Sequence, residues 1–266
     1  MLTLTNVSKR YGDEQTGTLA VRDLTFEIGG GQIVTIVGPS GCGKTTVLKL
    51  MAGLLEPTAG TIEVDGEVVH RPPEQIALVF QDYGNSLYPW MRVGENVEFP
   101  LRHRLKSRSE RRRRAATALE SVGLGGFEEK YPWQLSGGMQ QRVAIARGLA
   151  YQPQNLLMDE PFGALDAQTR ADLEDLVLQV RDRFDITIIF VTHDIDESVY
   201  LADRVLVMGP RPTFIDADLQ VDLPGPRDQI ETKSLDEFSR VRGEVYRRIR
   251  RSSELMRAGG DQAATH

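Results

Sequence analysis

The chain has a single cysteine, Cys42, among 266 residues. No internal disulfide is available to it, which fits a cytosolic protein better than a disulfide-framed secreted one. Long apolar runs are missing too: none approaches the roughly 18 residues needed to cross a bilayer. The N-terminus, Met1-Leu2-Thr3-Leu4, lacks the basic stretch followed by an apolar one that marks a signal peptide. If the protein works at a membrane, it must dock onto something embedded there. Histidines number four; His70, His103 and His266 have no informative neighbours, and no metal-ligand cluster is evident. Positive charge is not in excess: 32 Lys and Arg face 38 Asp and Glu, a formal net charge of −6, which argues against a general nucleic-acid binder. No internal repeat is present. What remains is ordinary for a globular protein, with 40% apolar and 26% charged residues. The length suits one large α/β domain or a core with a subdomain.

Leu2-Thr3-Leu4 and Val21 to Ile28 alternate apolar and polar residues and predict half-buried strands. Ile33 to Val37 is a short β-branched run that predicts a fully buried strand. Further buried strands are expected at Ile76 to Phe80, Leu156 to Met158, Thr187 to Val191 and Val205 to Met208. Helices are expected at Lys44 to Leu54, Ala167 to Phe184 and Asp194 to Ala202. Strand alternating with helix implies a mainly parallel sheet with helices on both faces. The segment from about Asp82 to Ala150 breaks that rhythm, with a turn-rich opening (Gly84-Asn85-Ser86, Pro89) and then helical stretches. It reads as an inserted helical subdomain. Its basic run, Arg111 to Arg114, could suggest nucleic acid, but Glu110 and Glu120 flank it on the same expected helix and favour a solvated face. The main domain is expected to span residues 1–233. Residues 234–266 are expected to form a charged helix, Leu235 to Met256, followed by a disordered Gly/Ala/Thr tail.

Directly after the Ile33–Val37 strand comes Gly38-Pro39-Ser40-Gly41-Cys42-Gly43-Lys44-Thr45, followed by Thr46. It fits G-x-x-x-x-G-K-[ST] in the order strand, loop, helix that the motif requires. Its glycines let backbone N–H groups point inward at phosphate oxygens, and the helix that starts near Lys44 adds its positive dipole end. Lys44 is expected to reach the β- and γ-phosphates and the Thr45 hydroxyl to serve Mg²⁺. Cys42 is expected to be a spectator with a solvent-facing thiol. Tyr11, in Lys9-Arg10-Tyr11-Gly12, precedes the loop and could stack on adenine; the plainer reading is a surface tyrosine at a turn. Far along the chain, Leu135-Ser136-Gly137-Gly138-Met139-Gln140-Gln141-Arg142 is also glycine-rich and opens a helix, so it offers a second set of amide donors for phosphate.

A chain with both stretches resembles the ATP-binding subunit of an ABC transporter. The resemblance covers Tyr11 to about Arg227 and implies a P-loop NTPase core with a mainly parallel sheet, an N-terminal antiparallel β subdomain and the inserted helical subdomain. It implies a homodimer in which Ser136, Gly137, Gly138 and Gln140 of one subunit close over the ATP held by the phosphate loop of the other. Leu156-Leu157-Met158-Asp159-Glu160 resembles the family's second acidic motif, so Asp159 would hold Mg²⁺ beside the phosphate loop and Glu160 would polarise the attacking water. Read without the family, Asp159-Glu160 is an acidic turn. Asn155 departs from the apolar residue usual there. Gln81 would contact Mg²⁺ and the water and hinge the helical subdomain. His193 would contact the γ-phosphate; its plainer reading is a cap on the following helix. Asp166, in Gly163-Ala164-Leu165-Asp166, would belong to the dimer-contact loop, whose first position is often Ser and is Gly here.

Several stretches look like the nitrate/sulfonate/taurine branch of bacterial importers: Pro161 to Arg170, Thr192 to Arg204, Leu87-Tyr88-Pro89-Trp90 and Val207 to Pro212. That branch pairs two ATPases with integral membrane permeases, which are fed by a periplasmic or surface substrate-binding protein. The ATPase would then be peripheral, on the cytoplasmic face of the inner membrane. The permease inserts a short coupling helix into a groove near the glutamine loop, and Leu87, Tyr88, Pro89, Trp90 and Met91 would line it here; Trp90 is read equally as part of a satellite core. The solute leaves no chemical trace in an ATPase subunit. Two other classes compete: a soluble ABC-type ATPase of nucleic-acid maintenance or translation, and a P-loop kinase, which would leave Leu135 to Arg142 without a role.

Overall fold

The computed structural model describes residues 1–13, 16–81 and 86–263, with side chains through 257. The expected Gly84-Asn85 turn and the last three residues of the tail lie outside the described residues. In chain order the elements are β1 (Leu2–Tyr11), β2 (Thr18–Ile28), β3 (Ile33–Val37), α1 (Lys44–Met51), β4 (Ala59–Val64), β5 (Glu67–Val68) and β6 (Ile76–Val79). There follow α2 (Val93–Glu98), α3 (Arg108–Ser121), α4 (Gly137–Ala150), β7 (Asn155–Asp159), α5 (Ala167–Phe184), β8 (Thr187–Val191) and α6 (Ile195–Leu201). The chain ends with β9 (Arg204–Met208), β10 (Ile215–Gln220), α7 (Glu231–Ser234) and α8 (Asp236–Ala263). Two compact units result: residues Met1–Pro73 with Thr187–His266, and residues Glu74–Ile186.

The first unit carries two sheets. One is antiparallel, in the order β2-β1-β4-β5. In β1 the alternation breaks at Asn6, which takes φ 50°, and the register to β2 shifts between Leu4 and Val7. That irregularity hides the strand from a period-two reading past Leu4. The other sheet sets β8, β3 and β9 in parallel, with β10 antiparallel at the β9 edge. All five residues of β3 and all five of β8 are buried, as continuous β-branched runs covered on both faces should be. Helix α6 packs on β3, and α8 packs on α6, β9 and β10. Phe238, Val241 and Val245 form the buried stripe of α8, and the helix continues beyond the Met256 end expected from sequence.

The second unit joins a parallel β6–β7 pair, Ile76 opposite Asn155 and Val79 opposite Met158, to a cluster of α2, α3 and α4 packed on one another. Helix α4 lies against β6. At Gly148 a Cβ would stand 2.9 Å from Leu156 Cδ1, so glycine sets that close approach. The arginine run on α3 is a solvated face: Arg113 and Arg114 both pair with Glu110, and Arg112 reaches Glu98. No helix among the described residues is long and apolar enough to cross a membrane.

Candidate functional site

The phosphate loop leaves β3 buried and surfaces at its tip: Gly38 and Pro39 are buried, while Ser40 and Gly41 are exposed. Gly41 at φ 74° and Gly43 at φ 124° hold conformations that L side chains rarely adopt. Nothing stands within 4 Å of the place a Cβ would occupy on Gly41, so the loop has open space above it. Gly43 serves as the N-cap of α1 with no side-chain cap, so no capping side chain competes with an anion at that helix start. Lys44, 6% exposed, bends back so that Nζ donates to the carbonyls of Gly38 (2.9 Å) and Pro39 (3.2 Å). A buried ammonium next to an uncapped helix start is an environment that suits an anion. Thr45 is exposed beside it. Tyr11 closes β1 and is 43% exposed, and its hydroxyl lies 3.3 Å from Thr46 Oγ1. His193 follows β8 and is exposed. It does not cap α6: Asp194 does, accepting from Asp196 N at 2.9 Å and Glu197 N at 3.2 Å.

Cys42 corrects the expectation of a solvent-facing thiol. Its side chain is fully buried and lies behind Gly38, where a Cβ would meet Cys42 Sγ at 3.1 Å and Met208 Cβ at 2.8 Å. Burial pushes the thiol pKa up from its ordinary 9.0, against smaller lowering effects from Lys44 and Thr213. The backing is made by Thr213, fully buried, whose Cγ2 would stand 3.2 Å from a Cβ on Gly43. This supporting role of Thr213 escaped the sequence reading; the neighbouring Gly209-Pro210-Arg211-Pro212 was the only signal for it.

In the second unit β7 ends at Asp159, 6% exposed. Glu160 follows at φ 42°, a left-handed backbone that costs a non-glycine residue about 1–2 kcal/mol and concentrates where geometry serves function. Gln81 Nε2 donates to Glu160 Oε2 at 3.4 Å, so two of the expected site residues meet. Asn155, the departure from the family pattern, is buried inside β7 with no hydrogen-bond partner for its Nδ2.

Ser136 is the N-cap of α4, its Oγ accepting from Met139 N at 3.3 Å. Gly137 and Gly138 open the helix, and Gly138 is pressed against the methyl of Thr169. Gln140 braces the approach: its Nε2 donates to Pro132 O (3.0 Å) and Leu135 O (3.3 Å). Asp166 caps α5, accepting from Thr169 N (3.0 Å) and from the Thr169 hydroxyl (2.7 Å). Those two bonds hold its carboxyl below the usual range.

A groove of about 710 Å³ opens beside β6, walled by Leu78, Phe80, Tyr88, Phe99 and Tyr151. Arg147 lies in it, donating to Ser86 O (2.6 Å) and Oγ (3.0 Å); burial pushes its pKa down. Of the five residues expected to line such a groove, Tyr88 does. Leu87 is instead buried in the unit's core, and Trp90 is 70% exposed.

The family model described as "ABC transporter" matches residues 21–163. The nitrate import ATP-binding protein NrtD of Synechocystis sp. is 45% identical over 85% of each chain. The aliphatic sulfonates import ATP-binding protein SsuB of Bacillus cereus is 41% identical over 92% of this chain and 94% of its own. Among solved structures, the dimeric post-hydrolysis state of the ATP-binding cassette MJ0796, bound to ADP and Pi, superposes with a TM-score of 0.72 at 33% identity, covering 83% of this chain and 99% of that one. With the phosphate loop, the Ser136-capped helix and the fold all in agreement with these likenesses, the chain belongs to the ABC transporter family, as an ATP-binding subunit.

Proposed function

We propose that the protein is the ATPase of a bacterial importer for a small solute of the nitrate/sulfonate/taurine type. The observation that carries the reading is one chain holding two separate glycine-rich helix starts, the Gly38–Thr45 loop before α1 and the Ser136-capped start of α4, alongside relatives named for nitrate and sulfonate import. A small-molecule kinase needs only the first of these sites. In the proposed mechanism the loop amides and Lys44 bind the β- and γ-phosphates, and Tyr11 stacks on the adenine. Ser136, Gly137 and Gly138 of a second copy close over the γ-phosphate, which His193 contacts, while Asp166 belongs to the loop between the two copies. Glu160, steered by Gln81, orients and deprotonates the attacking water. Thr45, Asp159 and Gln81 each carry an oxygen donor of the kind Mg²⁺ takes, and these are the residues that would hold the ion. The chemistry Mg²⁺ would supply when bound is neutralisation of negative charge on the phosphates. The groove walled by Phe80 and Tyr88 is the proposed seat of the permease, which would hold the ATPase at the cytoplasmic face of the membrane, with a substrate-binding protein acting through the permease.

Glu160→Gln tests the assignment. The variant is expected to bind MgATP normally, to lose roughly 10²–10⁴-fold in turnover, and to accumulate as an ATP-bound dimer in sedimentation. Hydrolysis at close to the wild-type rate would remove Glu160 from the role.

A further inference from the structure

The turn before Ser136 carries an aromatic that the nucleotide reading leaves unused. Trp133 is 70% exposed in the 3-10 turn Pro132–Gln134. A lone exposed tryptophan means little; this one is held. Its ring stacks on Tyr131, with centroids 5.9 Å apart and planes 13° apart. The turn is tied by Tyr131 N to Gln134 Oε1 (2.8 Å) and by Leu135 N to Pro132 O (3.0 Å). Gln140, reaching back from α4, adds its two bonds to Pro132 O and Leu135 O. The indole is thus fixed relative to the helix start that would receive the γ-phosphate. Trp133 precedes Ser136 by three residues, so their Cα atoms are no more than about 10 Å apart. That is a span on the scale of the ribose and phosphates of one nucleotide.

We infer that Trp133 is a second nucleobase platform, stacking on the purine of the nucleoside triphosphate whose phosphates sit in the partner copy's loop. The inference rests on the two-chain site proposed above. Tyr11 would cover one face of the base from the subunit that holds the phosphates, and Trp133 would reach it from the subunit that closes. Stacking of this kind tolerates any base, because every base has a π-face, so it contributes affinity in the closed dimer rather than choice among purines.

The chain has two tryptophans, Trp90 and Trp133, which permits a direct reading. In a Trp90→Phe, Glu160→Gln protein the tryptophan emission, excited selectively at the red edge, comes from Trp133 alone. MgATP is titrated with dimer formation followed in parallel by sedimentation, and the titration is repeated with ribose 5′-triphosphate, which has no base. The expected result is an emission change that tracks the ATP dimer and is absent with ribose triphosphate. Trp133→Ala should weaken ATP-driven dimerisation roughly tenfold, Trp133→Phe should retain most of it, and neither should alter the response to ribose triphosphate. An ATP dimer that forms with no emission change and no effect of Trp133→Ala overturns the inference and leaves the two-chain site standing. An equal response to both ligands overturns it in favour of a protein–protein contact. If ATP drives no dimer, the two-chain reading falls and the platform falls with it.

Discussion

Cys42 shows how a single side chain can invert an expectation drawn from its neighbours. A residue inside an exposed phosphate loop is expected to face solvent, yet the loop needs a floor, and Gly38 leaves room for the thiol to supply it against Met208 and Thr213. Burial keeps the proton on sulfur, and the thiolate is the nucleophile. Native protein should therefore react with a bulky disulfide reagent far more slowly than the urea-unfolded chain, at every pH below about 9. A native rate close to the unfolded one would contradict the burial. The sign of the linkage follows from the raised pKa. The folded state holds the proton more tightly, so the thiol's contribution to stability is complete below the unfolded value and is lost as pH rises through the folded one. Cys42→Ala should bind ATP, since the thiol lies on the floor of the loop behind Gly38 and not on its open side, and should lose the alkaline part of the stability profile. Nothing in the sequence distinguishes a thiol that floors a loop from one that tips it, because the difference lies in a contact with residues about 170 positions away.

Elements defined by a continuous apolar run or by a strong cap were legible: β3, β8 and α5 run Ile33–Val37, Thr187–Val191 and Ala167–Phe184, as their patterns predict. Those defined by pairing alone were not. β4 offers only Ile62 and Val64 as buried alternating residues, and β10 reads Ile-Asp-Ala-Asp-Leu-Gln at a sheet edge. Helix α1 stops at Met51 rather than Leu54, because Gly53 turns the chain at φ 67°. The same distinction holds at the site. The local settings of Lys44 at the head of α1, Asp159 at the end of β7 and Ser136 as the cap of α4 are visible in their motifs, whereas the press of α4 on α5 is not. A Cβ on Gly138 would overlap Thr169 Cγ2, while the Thr169 hydroxyl is committed to Asp166 at 2.7 Å. Gly138→Ala should therefore cost about 1–3 kcal/mol of stability. Adding Thr169→Ser removes the methyl, keeps the hydroxyl, and should restore most of the loss. Thermal melts of the four proteins give the coupling, and additivity of the two changes would rule out this contact as the reason for glycine. The cap itself should weaken in acid. The depressed pKa of Asp166 makes its contribution complete above the unfolded carboxyl value and lost as pH falls through the folded one.

At the scale of the whole molecule, a two-fold pair of identical chains with composite sites makes a demand that no single-chain ATPase makes. Each nucleotide would use Lys44 of one copy and Ser136 of the other. Lys44→Ala removes the buried ammonium beside the Gly38 and Pro39 carbonyls. Ser136→Arg replaces the cap of α4 with a long cation and blocks the approach of phosphate to its amides. Either variant alone has two broken sites per dimer and should be inactive. Mixed in equal amounts and allowed to exchange, half the dimers are hybrids. In each hybrid one site pairs the intact Lys44 of the Ser136→Arg chain with the intact Ser136 of the Lys44→Ala chain, while the other site carries both lesions. Roughly a quarter of the wild-type sites should return. A single-turnover measurement with excess protein over labelled ATP counts competent sites directly, without requiring that one site sustain repeated cycles. Activity in the mixture well above the sum of the separate variants is the expected outcome. A mixture no better than that sum, with hybrid formation verified by differently tagged chains, would place both residues in one chain's site and remove the closing dimer from the mechanism.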